Sequence, residues 1–599
     1  MKKSFLLLVF CPLLAYAQQD TIALKSVDIS DYFLNANQHQ QVIELSDSTQ
    51  KQHEALLSDI IQFRTPIYLK QNGAAMVSSP SFRGTTASQT AVLWNGINVN
   101  AATNGQADFN QFFNNASQRI DVKLGGGSIA HGTGAIGGSV HLQNHFDFGQ
   151  GWQNELSLQV GSFETYHAHY FTQYSNDRLA AQLGYNRFQT KNNYRTPNEA
   201  GRNLNGEYLL NQFNLGVAYK LNAHNQLKLI SETNFGDRHF SLVSPNETPT
   251  KYETWNHRFL TEWSFAQRRF ESNLRLAYLN ETSDYFTRLT SQNPSSLNVE
   301  TLLAKYWAAY RITPNMKLHF LTDFSHNRGN GDKIDDKKRD IWSVGLMMQH
   351  QLSPTFRYEI GARKEETSAF ESPILYSIGL VNEWTTWWKM RLHHSKNYRI
   401  PTYNDLYWEA SGNPNLKAEN AYQFEMGNEW KFKQLELKWN LYYNTILDLI
   451  QWVPSGSSSL WVPINQAKVK TYGSELMLLA RYNKLSFDAL YAYTQTHNEK
   501  TDKALIYTPE HQVKASLQFH QKWWNVFAQL LYTGKVYTLT DESEQLNDNT
   551  VVNLGGSVEL FKAFDLQVKI NNIFDHYYQS LLNRWMPGIN YQITILYKF

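Results

Sequence analysis

Beyond residue 148 apolar and polar residues alternate with a period of two. Between Leu435 and Asn444 the odd positions (Leu435, Leu437, Trp439, Leu441 and Tyr443) are apolar or aromatic, and the even ones are mostly polar. Leu485, Phe487, Ala489, Tyr491 and Tyr493 repeat the pattern. Successive side chains of a strand point to opposite faces, so each run has one apolar and one polar face. Runs of about ten residues with Tyr or Trp near their ends predict strands facing lipid on one side and water on the other. The last run behaves the same way: Tyr591, Ile593, Ile595, Tyr597 and Phe599 share one face, and the sequence stops on that aromatic.

The earlier part of the chain has a different pattern. Residues 18–47 are polar and predict an extended leader. Leu56, Leu57, Ile60 and Ile61 have the spacing of one amphipathic helix. From 64 to 145 short apolar segments are separated by glycine turns, densest at Gly125, Gly126, Gly127, Gly132, Gly134, Gly137 and Gly138. This predicts a small α/β unit over 54–147, a leader over 18–53 and a strand-rich region over 148–599. Shared among 22 strands, the last region allows roughly 20 residues per strand and connector, and a barrel of that size has a lumen wide enough to need a plug. The predicted fold is a transmembrane β-barrel of 22 antiparallel strands with a small α/β plug domain in its lumen.

The N-terminus supports export. Lys2 and Lys3 precede the apolar run Phe5 to Leu14, and Ala15-Tyr16-Ala17 follows, as in a signal peptide over 1–17 cleaved after Ala17. Cys11 is the single cysteine and would leave with that segment. The mature chain then has no disulfide, thiolate metal site or cysteine nucleophile. Phe10 occupies the place where a lipoprotein signal needs a small residue. No later stretch reaches the length of an apolar transmembrane helix, and the mean hydropathy of −0.50 is too polar for a helical membrane protein. With 17 Trp, 34 Tyr and 33 Phe the chain is nevertheless aromatic-rich, which fits a barrel in outer-membrane lipid. Lys and Arg total 55 against 53 Asp and Glu, so no basic face for nucleic acid is expected.

Motifs of enzyme chemistry are weak. Gly132, Gly134 and Gly137 have dinucleotide-fingerprint spacing, but the following Ser139-Val140-His141-Leu142 alternates like a strand where a helix is required. Turns and close backbone packing explain these glycines better. His167 and His169 share a strand face and His393 adjoins His394, yet no third metal ligand accompanies either pair. No catalytic constellation is found, and neither a cofactor nor a metal is expected.

Five segments, in order, resemble those of TonB-dependent outer-membrane receptors. Ser81-Phe82-Arg83-Gly84 with Ala91-Val92-Leu93-Trp94-Asn95-Gly96-Ile97 is similar to the paired strands of the family's plug. His131-Gly132-Thr133-Gly134-Ala135-Ile136-Gly137-Gly138-Ser139-Val140 is similar to its closing "YGSGAIGGVV". In the barrel, Tyr398 to Trp408, Gly412-Asn413-Pro414-Asn415-Leu416-Lys417-Ala418-Glu419 and Ile570 to Tyr578 complete the set. Two departures stand out: Leu124-Gly125-Gly126 replaces the usual "RGP", and Ala418 replaces a proline.

The resemblance implies an energised importer, a monomeric barrel partnered by a TonB-type energy-coupling protein in the periplasm. Leu24, Lys25, Ser26, Val27, Asp28, Ile29 and Ser30 look like a degenerate TonB box, an extended segment able to add a strand to a partner's sheet edge. The leader is too short for an added N-terminal signalling domain. A charge buried between plug and barrel must be paired. Arg83 is expected to meet Glu425 or Glu429, which alternation turns into the lumen.

The ligand would be a nutrient too large for porins: cobalamin, a ferric siderophore or haem. No His lies between Pro401 and Asn413, where the family's haem receptors carry one. Asn95 to Phe109 resembles the cobalamin-contacting plug loop of the vitamin B12 receptors, and Asn100, Thr103, Asn104 and Gln106 suit a corrin's amide rim. Lys191 to Tyr208 has no Asp, so the calcium site of some B12 receptors is not expected. Cobalamin import is the favoured reading, with a ferric-siderophore receptor as alternative. A passive porin is disfavoured because residues 64–145 would block the lumen, and an adhesin or enzyme by the missing catalytic residues.

Overall fold

A computed structural model describes residues 39–115, 118–367, 370–455 and 460–599. The candidate TonB box at 24–30 and the cleavage site after Ala17 lie outside them. The described residues contain no helix long and apolar enough to cross a membrane. They form a closed, antiparallel barrel of 22 strands, from Gly151–Gly161 to Asn590–Lys598. The last strand closes on the first in the register Gln592↔Gly161 to Lys598↔Glu155, leaving no free edge.

Alternation is visible in the burial of every long strand. Within Leu435–Pro454, Asn440, Tyr442 and Asn444 turn into the lumen while Tyr443 is exposed. Phe424 points outward and its neighbours Gln423 and Glu425 inward. Exposed apolar side chains such as Leu215, Phe259, Leu346 and Ile595 make the outer face lipid-like. At the end of the chain the rings of Phe564, Tyr597 and Phe599 stack at centroid distances of 4.3 and 4.7 Å.

The lumen is filled by a mixed sheet. Its strands are β1 (Val42–Leu45), β4 (Thr90–Trp94), β5 (Ile97–Asn98), β6 (Gln118–Leu124) and β7 (Gly138–Asn144), ordered β1-β6-β7-β4-β5. A separate hairpin joins β2 (Tyr68–Gln71) to β3 (Ser78–Ser81). Only the β4–β7 pair is parallel. The helix read from Leu56 to Ile61 spans Leu57–Arg64 (α1) and buries Leu57, Ile60 and Ile61 completely against Ile67, Phe82 and Trp94 in one core. The plug also reaches back into the stretch read as leader. Val42 to Leu45 pairs with Lys123 to Ile120, so the sheet begins a dozen residues before 54. Polar Gln40 and Gln41 hid this edge strand, because their side chains bind inside the assembly: Gln40 donates to the Leu124 and Gly126 carbonyls of the plug, and Gln41 accepts from Asn440 of the barrel wall.

Candidate functional site

Two of the features that fix the plug in the barrel lie at the loops singled out in the sequence. The first is a buried ion cluster at Arg83, in the tight turn after β3. Arg83 and Gly84 both adopt positive φ, 53° and 76°. This left-handed conformation costs a non-glycine residue roughly 1–2 kcal/mol. It aims the guanidinium at the wall, where Nε and Nη2 donate to Glu475 (2.8 and 2.7 Å) and Nη1 to Glu425 (2.6 Å). Tyr442, on the strand between those carboxylates, stacks on it at 4.6 Å. Glu429 lies elsewhere, paired with Arg391 (3.1 Å) and Lys389 (3.5 Å) near the periplasmic turn, too far along the strand for the plug arginine. Glu475 escaped the sequence reading, although outward Tyr472 and Leu476 on the same strand show that its face is inward.

The second feature is glycine at 126, where the family's "RGP" is lost. A Cβ there would lie 2.1 Å from Asn397 Nδ2 and from Gln423 Oε1. The backbone therefore packs directly on the barrel wall, and Asn397 and Gln423 bond the neighbouring plug backbone at Ser128 N and Ile136 O.

On the outer side, residues 400–418 form a strap over the plug. Thr402 caps a short helix, Tyr403–Tyr407 (α2 here), through a reciprocal bond with Asp405. Arg399 ties the base of the strap to Glu419 (2.7 Å) and Asp405 (3.4 Å). The strap then grips the plug: Tyr403 N donates to Ala102 O (3.2 Å), Asn404 N to Thr103 O (2.8 Å), and Ile400 N to Thr133 Oγ1 (2.9 Å). Gln89 Nε2 meets the other oxygen of Glu419 at 2.6 Å. The Tyr398–Trp408 and Gly412–Glu419 segments noted in the sequence thus build one device.

The apex residues expected to touch ligand sit beneath this strap and differ in role. Asn100 is an internal clip: its amide nitrogen donates to Thr90 O (2.9 Å) and Gly105 O (2.8 Å), and its oxygen accepts from Val92 N (2.8 Å). Its side chain thus holds the loop while remaining half-buried at the cavity described below. Gln106 Oε1 accepts from Ser79 Oγ at 3.0 Å. Thr103 is half-buried, and Asn104 is exposed, its Oδ1 accepting from Gln106 N at 3.0 Å.

Between the apex loop, the His131–Gly134 turn and the barrel wall lies a cavity of about 190 Å³. Arg339, Arg363, Arg399, Lys305, Asp323 and Glu281 are among its lining residues. Gly132 and Gly134 shape its floor with φ of 76° and 87°, and strand β7 follows them, as turn-forming glycines require. The histidine pairs serve packing. His167 and His169 share the Asn186 side-chain oxygen (3.3 and 2.9 Å), and His393 meets Ser377 Oγ (3.0 Å). Among the described residues no cluster of three metal-ligating side chains occurs.

Residues 35–139 match the TonB-dependent Receptor Plug Domain, and residues 151–573 match "TonB dependent receptor-like, beta-barrel". The chain belongs to the TonB-dependent receptors. As a member, it is an outer-membrane barrel with a plug. Among curated relatives, the receptor is 22% identical to "Vitamin B12 transporter BtuB" of Photobacterium profundum, over 100% of both chains. It is also 22% identical to the protein of that name from Vibrio vulnificus, over 88% of this chain and 87% of the relative. Solved structures share the fold at lower identity. The siderophore receptor PirA from Acinetobacter baumannii superposes with a TM-score of 0.82 at 13% identity, covering 96% of the receptor and 100% of PirA. The copper transporter OprC gives 0.81 at 15%, covering 94% and 98%.

Proposed function

We propose that the receptor binds cobalamin at its outer face and imports it into the periplasm with energy from a TonB-type partner. The observation that carries this is the apex loop Asn95–Phe109: its resemblance to a cobalamin-contacting loop coincides with its place under the outer strap. Full-length likeness to proteins named as vitamin B12 transporters supports the same ligand. Asn100, Thr103, Asn104 and Gln106 are the apex side chains assigned to ligand, and Asn100 also shapes their loop. A ferric siderophore is the second reading, favoured by the fold shared with a siderophore receptor.

The TonB box is assigned to Leu24–Ser30, a few residues beyond the expected cleavage after Ala17. An extended segment binds mainly through main-chain hydrogen bonds, so a loosely matching sequence can still serve. Deletion of residues 18–30 downstream of an intact signal tests the energised mechanism. Cells should lose cyanocobalamin uptake while their membranes keep binding it; undiminished uptake would mark a passive pore.

A further inference from the structure

Arg339 lies near the outer end of the strand Ile334–Gln351 and lines the cavity beneath the strap. It is 7% exposed. Nη1 donates to Pro401 O at 3.0 Å, and the guanidinium lies against Tyr403 and Phe370, 4.9 and 5.5 Å from their ring centroids. Nη2 is buried without a hydrogen-bond partner among the described residues; none of their carboxylates pairs directly with Arg339, and the Asp405 charge reaches it only from farther off.

Its neighbours are different. Arg363 is held by Asp323 (2.6 Å) and Glu365 (2.7 Å), and Arg399 by Glu419 and Asp405. Asp405 is already committed to Arg399, Thr402 N and Trp452 Nε1. A buried cation without a directly paired carboxylate costs several kcal/mol. Here the cost falls on a wall residue that lines a ligand-sized space. A guanidinium held on one side by a carbonyl and on its faces by rings is preorganised to receive an oxyanion on the other.

We propose that Arg339 is the anion anchor of the ligand site and takes the phosphodiester of a corrinoid's nucleotide tail. This rests on the cobalamin reading and sharpens it. A corrin rim of neutral amides offers hydrogen bonds to the apex, while the tail carries one fixed negative charge. A cavity of about 190 Å³ suits a tail group rather than the whole macrocycle. The guanidinium lies against Tyr403, whose N donates to Ala102 O, so an oxyanion at Arg339 would bind beside the strap's hold on the plug apex.

The test compares cyanocobalamin with dicyanocobinamide, which keeps the corrin and lacks the phosphodiester tail, on the purified receptor and its R339Q and R339K variants. A charge-assisted bond corresponds to about 10–100-fold in affinity. The native receptor should prefer cobalamin by about that factor. R339Q should lose the preference while keeping its cobinamide affinity, which also verifies its fold, and R339K should fall between. Equal binding of both corrinoids by the native receptor, or an R339Q that weakens both alike, overturns the anchor and leaves the cobalamin reading standing. Binding of neither corrinoid overturns both.

Discussion

Arg83 and Glu475 meet in a two-bond fork, Nε to Oε1 at 2.8 Å and Nη2 to Oε2 at 2.7 Å, across the boundary between plug and barrel. Residues far apart in the chain thus share one buried contact, and Glu425 completes it from a nearby strand. Two carboxylates around one cation make the cluster sensitive to which member is lost.

R83A should leave both carboxylates buried without their cation and weaken plug seating by about 3–5 kcal/mol. E475Q keeps an acceptor oxygen and a counter-charge in Glu425, so its cost should be smaller. Urea titration with protease accessibility of the plug distinguishes the two. An R83A plug as resistant as the native one would remove the cluster from any holding role.

Asn100 and Asn104 should separate stability from binding. N100A breaks three hydrogen bonds that shape the apex and should cost about 1.5–3 kcal/mol at roughly 0.5–1.5 each, less some water replacement. N104A alters an exposed side chain and should leave unfolding unchanged while lowering ligand affinity. Thermal unfolding and binding measured on both variants check this, and a destabilised N104A with native affinity would reverse the assignment.

Glu54 should make plug stability depend on pH. Burial pushes its carboxyl up to about 7, and the neighbouring Asp59 charge adds to the shift. Asp59 engages Lys569 (3.2 Å) and His53 (2.6 Å), while Glu54 accepts from Asn571 at 2.9 Å. The folded state holds a proton there that the unfolded chain releases near pH 4.5, so Glu54's contribution declines as pH rises from about 4.5 to 7 and stays low above. E54Q should therefore stabilise the plug at pH 8 by on the order of 1–2 kcal/mol and change little at pH 4.5. His53, pushed by burial down to about 4, titrates in the opposite sense in both proteins and cancels in the comparison. Equal unfolding midpoints of E54Q and the native receptor at pH 8 would contradict it.

The barrel was legible because lipid and water impose a strict two-residue period, which set the inward parity of Glu425 and the outward parity of Phe424. The Gly132–Gly138 segment was legible for a different reason, since positive φ and close packing restrict those positions to glycine. Pairings across the lumen were harder. Nothing local tells Glu425 from Glu429, which share a face; depth along the strand gives one to Arg83 and the other to Arg391. The same limit hid the structural work of Asn100, whose amide bonds Thr90 O and Gly105 O and shapes the apex loop. Arg339 was silent because its distinction is a buried Nη2 without a partner among the described residues, which emerges only when the strap and wall around it are placed.

The most direct test of the cobalamin reading is calorimetric titration of the purified receptor with cyanocobalamin, with a ferric tris-catecholate and a ferric tris-hydroxamate as competitors. Saturable one-to-one binding of cyanocobalamin that neither iron complex displaces is the predicted result. Binding of an iron complex with no heat from cyanocobalamin would contradict the assignment and identify a siderophore receptor.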